Sequence, residues 1–148
     1  MPYLRLTCPE VSPERRRIIA LRLTEELNDL FFSSRGGPTR EELRERTSIH
    51  FQPYGEADVF IGGHTPQERR KPDLTAELSD WNMGVKTQRR VAAQLTPVLA
   101  ELFGVGPQEL DNVNIRFHSY PPRDFAVGGR LIADFVPRIG QLMKRLNS

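Results

Sequence analysis

The chain opens on a strict alternation. Leu4, Leu6 and Cys8 share one parity and Tyr3, Arg5 and Thr7 the other, the period of a strand that buries one face and shows the other to something different. A strand is predicted from about Pro2 to Cys8. Ser12-Pro13-Glu14 then supplies an N-cap, a proline at the first helical position and an acid in the first turn, where the aligned peptide dipoles favour negative charge. Ile19, Leu23, Leu27 and Leu30 follow at steps of four, four and three and draw one apolar stripe along a helix. Residues 33–38 (SSRGGP) stop it and open a long loop. Alternation returns over residues 47–52 (TSIHFQ), where Ile49 and Phe51 oppose Ser48, His50 and Gln52.

The second half repeats this order. Leu74, Ala76 and Leu78 alternate with polar residues, Val91, Leu95, Val98 and Leu102 mark a helical stripe, and Val113, Ile115 and Phe117 alternate again. Equivalent landmarks keep nearly constant offsets: His50 to Arg116, Tyr54 to Tyr120 and Gly62-Gly63 to Gly128-Gly129 are 66 residues apart, Pro2 to Pro72 is 70, and Phe31 to Phe103 is 72. The small drift falls in loops. Each copy reads strand, helix, strand, then a glycine pair suited to a tight hairpin. The fold class is therefore α/β in the α+β sense: two βαβ repeats forming a four-stranded mixed sheet with two helices on one face. A single domain spans residues 1–148, with pseudo-repeats over about 2–63 and 72–129 and a tail over 130–148. The uncovered face, expected to be apolar, predicts an oligomer. Pro97 inside the second stripe predicts a kink. In the tail, Ile132, Phe135, Ile139, Leu142 and Leu146 at helical spacing predict a short terminal helix that packs against a neighbour.

Composition narrows the function classes. A length of 148 residues suits one domain, and no apolar run approaches the roughly 20 residues of a membrane span. The N-terminus carries no secretory pattern, so a cytoplasmic location is expected. Cys8 is the single cysteine, which excludes an internal disulfide and a cysteine zinc cluster. The formal net charge is only +2. The basic groups Arg15-Arg16-Arg17, Arg69-Arg70-Lys71 and Arg89-Arg90 lack the interleaved aromatics of a single-strand binder, so no nucleic-acid partner is expected. His50, His64 and His118 form no HExxH arrangement, and the glycine doublets lack the spacing of a phosphate cradle. No metal and no cofactor are expected.

The remaining chemical candidate is Pro2. Removal of Met1 would leave a secondary amine at the head of a buried strand. An ordinary α-amino group titrates at about 7.7–8.0, and burial or a nearby cation lowers that value by disfavouring the charged form. Such an amine is poised near neutral pH as a general base. The alternative reading is an N-terminal residue with no chemical role.

The start MPYLRLT, the two βαβ copies and the runs ADVFIGG (57–63) and RDFAVGG (123–129) together resemble the tautomerase superfamily, which includes 4-oxalocrotonate tautomerase, macrophage migration inhibitory factor and cis-3-chloroacrylic acid dehalogenase. The resemblance runs to about Asp134. It implies a homotrimer with active sites between subunits, Pro2 as catalytic base and acid, and a small carboxylate-bearing substrate. By the same resemblance Asn114 and Arg116 bind substrate, Arg116 meeting a carboxylate with its forked donors. Phe125 and Trp81 line the pocket, and His50 or Arg116 completes a neighbour's site. Pro72 occupies the place of Pro2 in the second copy, but its nitrogen is a mid-chain amide. Two departures separate the chain from particular branches: residues 9–12 (PEVS) lack the arginine of the 4-oxalocrotonate tautomerases, and residues 81–86 (WNMGVK) lack the paired arginines of the dehalogenases. Keto–enol tautomerisation of a 2-oxo acid survives both losses. A dehalogenase or hydratase, a malonate semialdehyde decarboxylase-like enzyme, and a non-catalytic trimeric binding protein are the alternatives.

Overall fold

Two strands, one from each half of the chain, lie side by side at the centre. The computed structural model describes residues 1–147. In it β1 (Tyr3–Pro9) and β3 (Leu74–Trp81) pair antiparallel, with Tyr3 opposite Ser79 and Leu6 opposite Ala76. β2 (Ser48–Tyr54) adds in parallel outside β1, and β4 (Val113–Tyr120) adds in parallel outside β3, giving the order β2-β1-β3-β4. The two βαβ units are therefore joined through their first strands, as parallel pairs bridged by helical crossovers.

The crossovers form where the sequence signals them. In α1 (Pro13–Phe31) the Ser12 hydroxyl accepts from the Arg15 amide at 3.2 Å, with Glu14 in the first turn. α4 (Val85–Phe103) runs as one helix through Pro97 and ends at Gly104, whose φ of 66° lets the chain turn out in a left-handed conformation. Ile19, Leu23, Leu27 and Leu30 of α1 and Val91, Leu95 and Leu99 of α4 pack on Leu4, Leu6, Cys8, Leu74, Ala76 and Leu78 in one core. Burial raises the Cys8 thiol to about 11.

Several local elements lay beyond the periodicity. The long loop after α1 holds α2 (Arg40–Glu45), closed by a capping box between Thr39 and Glu42. Buried Asn28 pins it, donating to the Arg40 carbonyl at 2.6 Å and accepting from the Arg40 guanidinium at 2.8 Å. A second capping box, Thr65 with Glu68, starts α3 (Pro66–Arg69). The first glycine pair closes only an isolated bridge between Ile61 and His64, whereas Gly128-Gly129 turns a true hairpin between β5 (Ala126–Val127) and β6 (Arg130–Leu131), both glycines at positive φ. The tail forms α5 (Ile132–Phe135) and then α6 (Arg138–Asn147). Among the described residues no helix is long and apolar enough to cross a membrane.

Two expectations are corrected. The open face of the sheet is polar: it carries Tyr3, Arg5, Thr7, Thr75, Glu77 and Ser79 at its centre, with Ser48, His50, Gln52, Asn114, Arg116 and His118 on the outer strands. Glu77 accepts from Arg5 at 2.6 Å and stands 3.5 Å from His118. The apolar stripe of the tail also faces outward, with Ile139, Leu142 and Leu146 exposed and Ile132 alone buried.

The two ends of the central ladder are closed differently. Beside the start of β3, the Tyr54 hydroxyl donates to the Asp73 carbonyl at 2.8 Å and accepts from the Asp73 amide at 3.0 Å. Its repeat equivalent, Tyr120, stands at the other end, opposite Trp81.

Leu78 is fully buried in the central ladder. Leu78→Ala is expected to lower the free energy of unfolding by about 3 kcal/mol, as methylene loss plus a residual cavity dictates. Urea denaturation followed by tryptophan fluorescence measures this.

Candidate active site

The end of β3 beside the start of β1 gathers most of the chemistry. Asp80 continues the buried parity of Leu74, Ala76 and Leu78, so a carboxylate takes a position the strand otherwise gives to apolar side chains; it is 1% exposed. Three donors compensate it. The Met1 ammonium reaches Oδ1 at 2.6 Å, the Trp81 amide reaches the same oxygen at 2.9 Å, and the Lys144 Nζ reaches Oδ2 at 2.6 Å. Lys144 belongs to α6 and also lies 4.0 Å from the centre of the Trp81 ring, a cation–π contact. Gln141, one turn earlier, donates to the Val136 carbonyl at 2.8 Å, and its own carbonyl accepts from Asn82 at 3.5 Å. The last helix thus docks through the Lys144 ammonium and a backbone carbonyl.

Burial shapes the proton affinities here. It holds the Met1 ammonium below its ordinary value, against the opposing pull of Asp80. It lowers Lys144 in the same way, again with Asp80 pulling back. The Tyr120 phenol is pushed up to about 12, first by burial and then by the charge of Asp80.

The residues singled out in the sequence divide into two groups. Pro2 is buried, on the parity that faces the helices, and one further step along the β1–β3 register sets it opposite Asp80. Trp81 and Phe125 are gathered at the same end: Phe125 packs its ring 5.7 Å from Tyr120, and Tyr120 pairs with Trp81 across β3–β4. His50 is not gathered there: it lies on β2 at the level of Arg5 and Glu77, on the open face, its ring 4.7 Å from that of Tyr3. Arg116 pairs with Glu77, three residues back from Asp80 and so about 10 Å along the strand from the Pro2 level at 3.3 Å per residue, and on the opposite face of the sheet. Asn114 is two residues further and donates to the Leu74 carbonyl at 3.4 Å. Within one chain, neither reaches the proline end.

Asp80, Lys144 and Tyr120 were not among the sequence candidates for the site. Asp80 had a legible signal, a carboxylate on the apolar parity of a strand. Lys144 had none, because nothing local marks which side of α6 turns inward. Beside this cluster a groove of about 550 Å³ runs between Asn82, Ser119, Tyr120, Pro121, Gln141 and Leu142.

This architecture has solved counterparts. The fold is the one seen in solved fused 4-OT proteins and in a member of the cis-3-chloroacrylic acid dehalogenase family. The structure of Pt0534 inactivated by 2-oxo-3-pentynoate aligns over 90% of this chain and 99% of its own with a TM-score of 0.71 at 15% identity. An asymmetric trimer of wild-type F6 fused 4-OT covers 91% and 99% with a TM-score of 0.68 at 18% identity. N1, of the cis-3-chloroacrylic acid dehalogenase family, covers 96% and 97% with a TM-score of 0.65 at 15% identity. No protein-family model matches the sequence, and no curated protein matches it.

Alkaline titration at 295 nm is expected to show one tyrosine ionising near pH 12, and Tyr120→Phe is expected to remove that step. The folded state holds this proton more tightly than the unfolded chain, whose tyrosines titrate at about 10. The phenol's contribution to stability is therefore complete below about pH 10 and is lost as pH rises toward 12.

Proposed function

We propose that this chain is a cofactor-independent keto–enol tautomerase acting on a 2-oxo acid or its enol, with the Pro2 nitrogen, freed by removal of Met1, as general base and acid. The observation that carries the reading is the position of Pro2, buried at the head of β1 and opposite Asp80 in the β1–β3 register, at a place where burial already disfavours protonation of the Met1 amine one residue ahead. A neutral secondary amine there takes the hydroxyl proton of the enol, the electron pair closes the carbonyl, and the resulting ammonium returns a proton to the adjacent carbon. Nothing is oxidised or released. Trp81 and Phe125 offer an apolar wall for the body of the substrate. Pt0534, of like fold, is inactivated by a 2-oxo acid, which supports that substrate class.

The carboxylate of the substrate needs a cation, and Arg116 lies too far down its own strand to serve its own Pro2. We assign it to the site of an adjacent subunit in a homotrimer, a reading supported by the trimer of F6 fused 4-OT.

Two experiments test this. Intact-mass analysis establishes the leading residue, and incubation with 2-oxo-3-pentynoate is expected to add one equivalent to the Pro2 peptide. Pro2→Ala is expected to lower ketonisation of phenylenolpyruvate by about a hundredfold or more, the usual worth of a positioned base; undiminished turnover would refute the mechanism. Separately, Pro2→Ala and Arg116→Ala chains, unfolded and reassembled together, are expected to regain part of the activity, because some pockets then combine both residues. No gain on mixing rules out the shared site, and neither turnover nor adduct leaves a binding module of the same fold.

A further inference from the structure

The C-terminal helix is turned the opposite way from an ordinary amphipathic helix. Ile139 and Leu146 are 73% and 68% exposed, while Lys144 reaches Asp80 in the body of the protein and the Gln141 backbone carbonyl accepts from Asn82. Apolar burial does not explain why α6 lies where it does. What it delivers is one cation to one carboxylate, and that carboxylate also holds the leading amine. Lys144 is fixed twice, by Asp80 and by the Trp81 ring, so its charge is held in place rather than solvated.

We propose that Asp80 and Lys144 are a charge couple that sets the proton affinity of the leading amine, Asp80 as its acceptor and Lys144 as the counterweight that α6 brings in. Both are positioning residues. The inference rests on the proposed function in taking the leading amine left by removal of Met1, that of Pro2, as the reactive group. The carboxylate serves either start of the chain: it binds the Met1 amine directly, and Pro2 stands opposite it in the β1–β3 register.

The charged and titratable groups around the amine come from each neighbouring element. At the Met1 amine, Asp80 on β3 raises the affinity for a proton, and Lys144 on α6 and Arg46 at the end of α2 lower it. Tyr120 on β4 stays neutral up to about 12. Removing Lys144 leaves Asp80 to act on the amine without opposition, and removing the charge of Asp80 leaves burial and the cations in control. The two substitutions must therefore move the amine in opposite directions.

The test reads the amine itself. The full-length protein is methylated with limiting formaldehyde and cyanoborohydride across a pH series, and modification is quantified on the N-terminal peptide by mass spectrometry, since only the neutral amine reacts. Lys144→Met is expected to raise the midpoint by about one pH unit, a tenfold slowing of labelling below it, and Asp80→Asn to lower it by a similar amount. Lys144→Arg is expected to restore the wild-type midpoint. A midpoint for folded Lys144→Met within about 0.3 units of wild type, too small for a neighbouring charge, overturns the proposal even if both variants melt earlier, as a purely structural pair would. Should Asp80→Asn fail to fold, Lys144→Met and Lys144→Arg decide the matter alone. A shifted midpoint in a protein without turnover upholds the couple and removes the tautomerase reading. Turnover that needs Pro2, with an unmoved midpoint, does the reverse.

Discussion

Tyr3 faces Ser79 and Thr7 faces Thr75, and this five-residue antiparallel ladder makes one sheet out of two βαβ units. Each unit alone has a parallel pair and a single long helix, too little to bury its own apolar row. The ladder aligns Leu4 and Leu6 with Leu78 and Ala76 so that α1 and α4 share one core. Because side chains alternate with a period of two, a slip of one residue would turn that row to the open face. It would also carry the chain start away from Asp80. Core and site depend on the same register.

That register fixes where a charge is buried. An isolated carboxylate in this position would cost several kcal/mol, and breaking a buried pair by removing one partner is strongly destabilising. Asp80 meets the cost with an amine, an ammonium and a backbone amide drawn from three different parts of the chain. The first strand, the third strand and the last helix thus converge on two oxygen atoms. Arg5 and Glu77 form a second ion pair on the open face, with His118 3.5 Å from Glu77, but one in contact with solvent, where screening makes it worth little.

The repeat was legible because its signals are local: the parity of Leu4, Leu6 and Cys8, the cap at Ser12, the four-four-three spacing of α1, and constant offsets between copies. The capping boxes at Thr39 and Thr65 were equally local, yet each opens a helix too short for an apolar stripe to announce it. The polar open face could be read from Arg5, Glu77 and Arg116 once their parity was known. At the proline end, Trp81 could be placed from the end of its strand, whereas Phe125 and the role of Pro2 were implied by resemblance. Lys144 could not, since its partner lies 64 residues away and its helix hides no apolar face that would reveal its orientation. The distance between Arg116 and Pro2 likewise emerged only with the β3–β4 register.

Tyr54 and Tyr120 occupy equivalent places, one at each end of the central ladder. At the first end the phenol is spent on both backbone groups of Asp73, beside a proline whose nitrogen is locked in an amide. At the second the corresponding phenol faces Trp81 and Phe125, near the carboxylate that holds the leading amine. Two separate copies of one repeat, related by a true two-fold axis, would have to carry identical side chains at both ends, so any change made for a ligand would be repeated where it could only weaken the joint. Covalent fusion lifts that obligation. One end can be held as a fixed clasp while the other varies freely in sequence, and the stability of the pair no longer limits what its open end is built to hold.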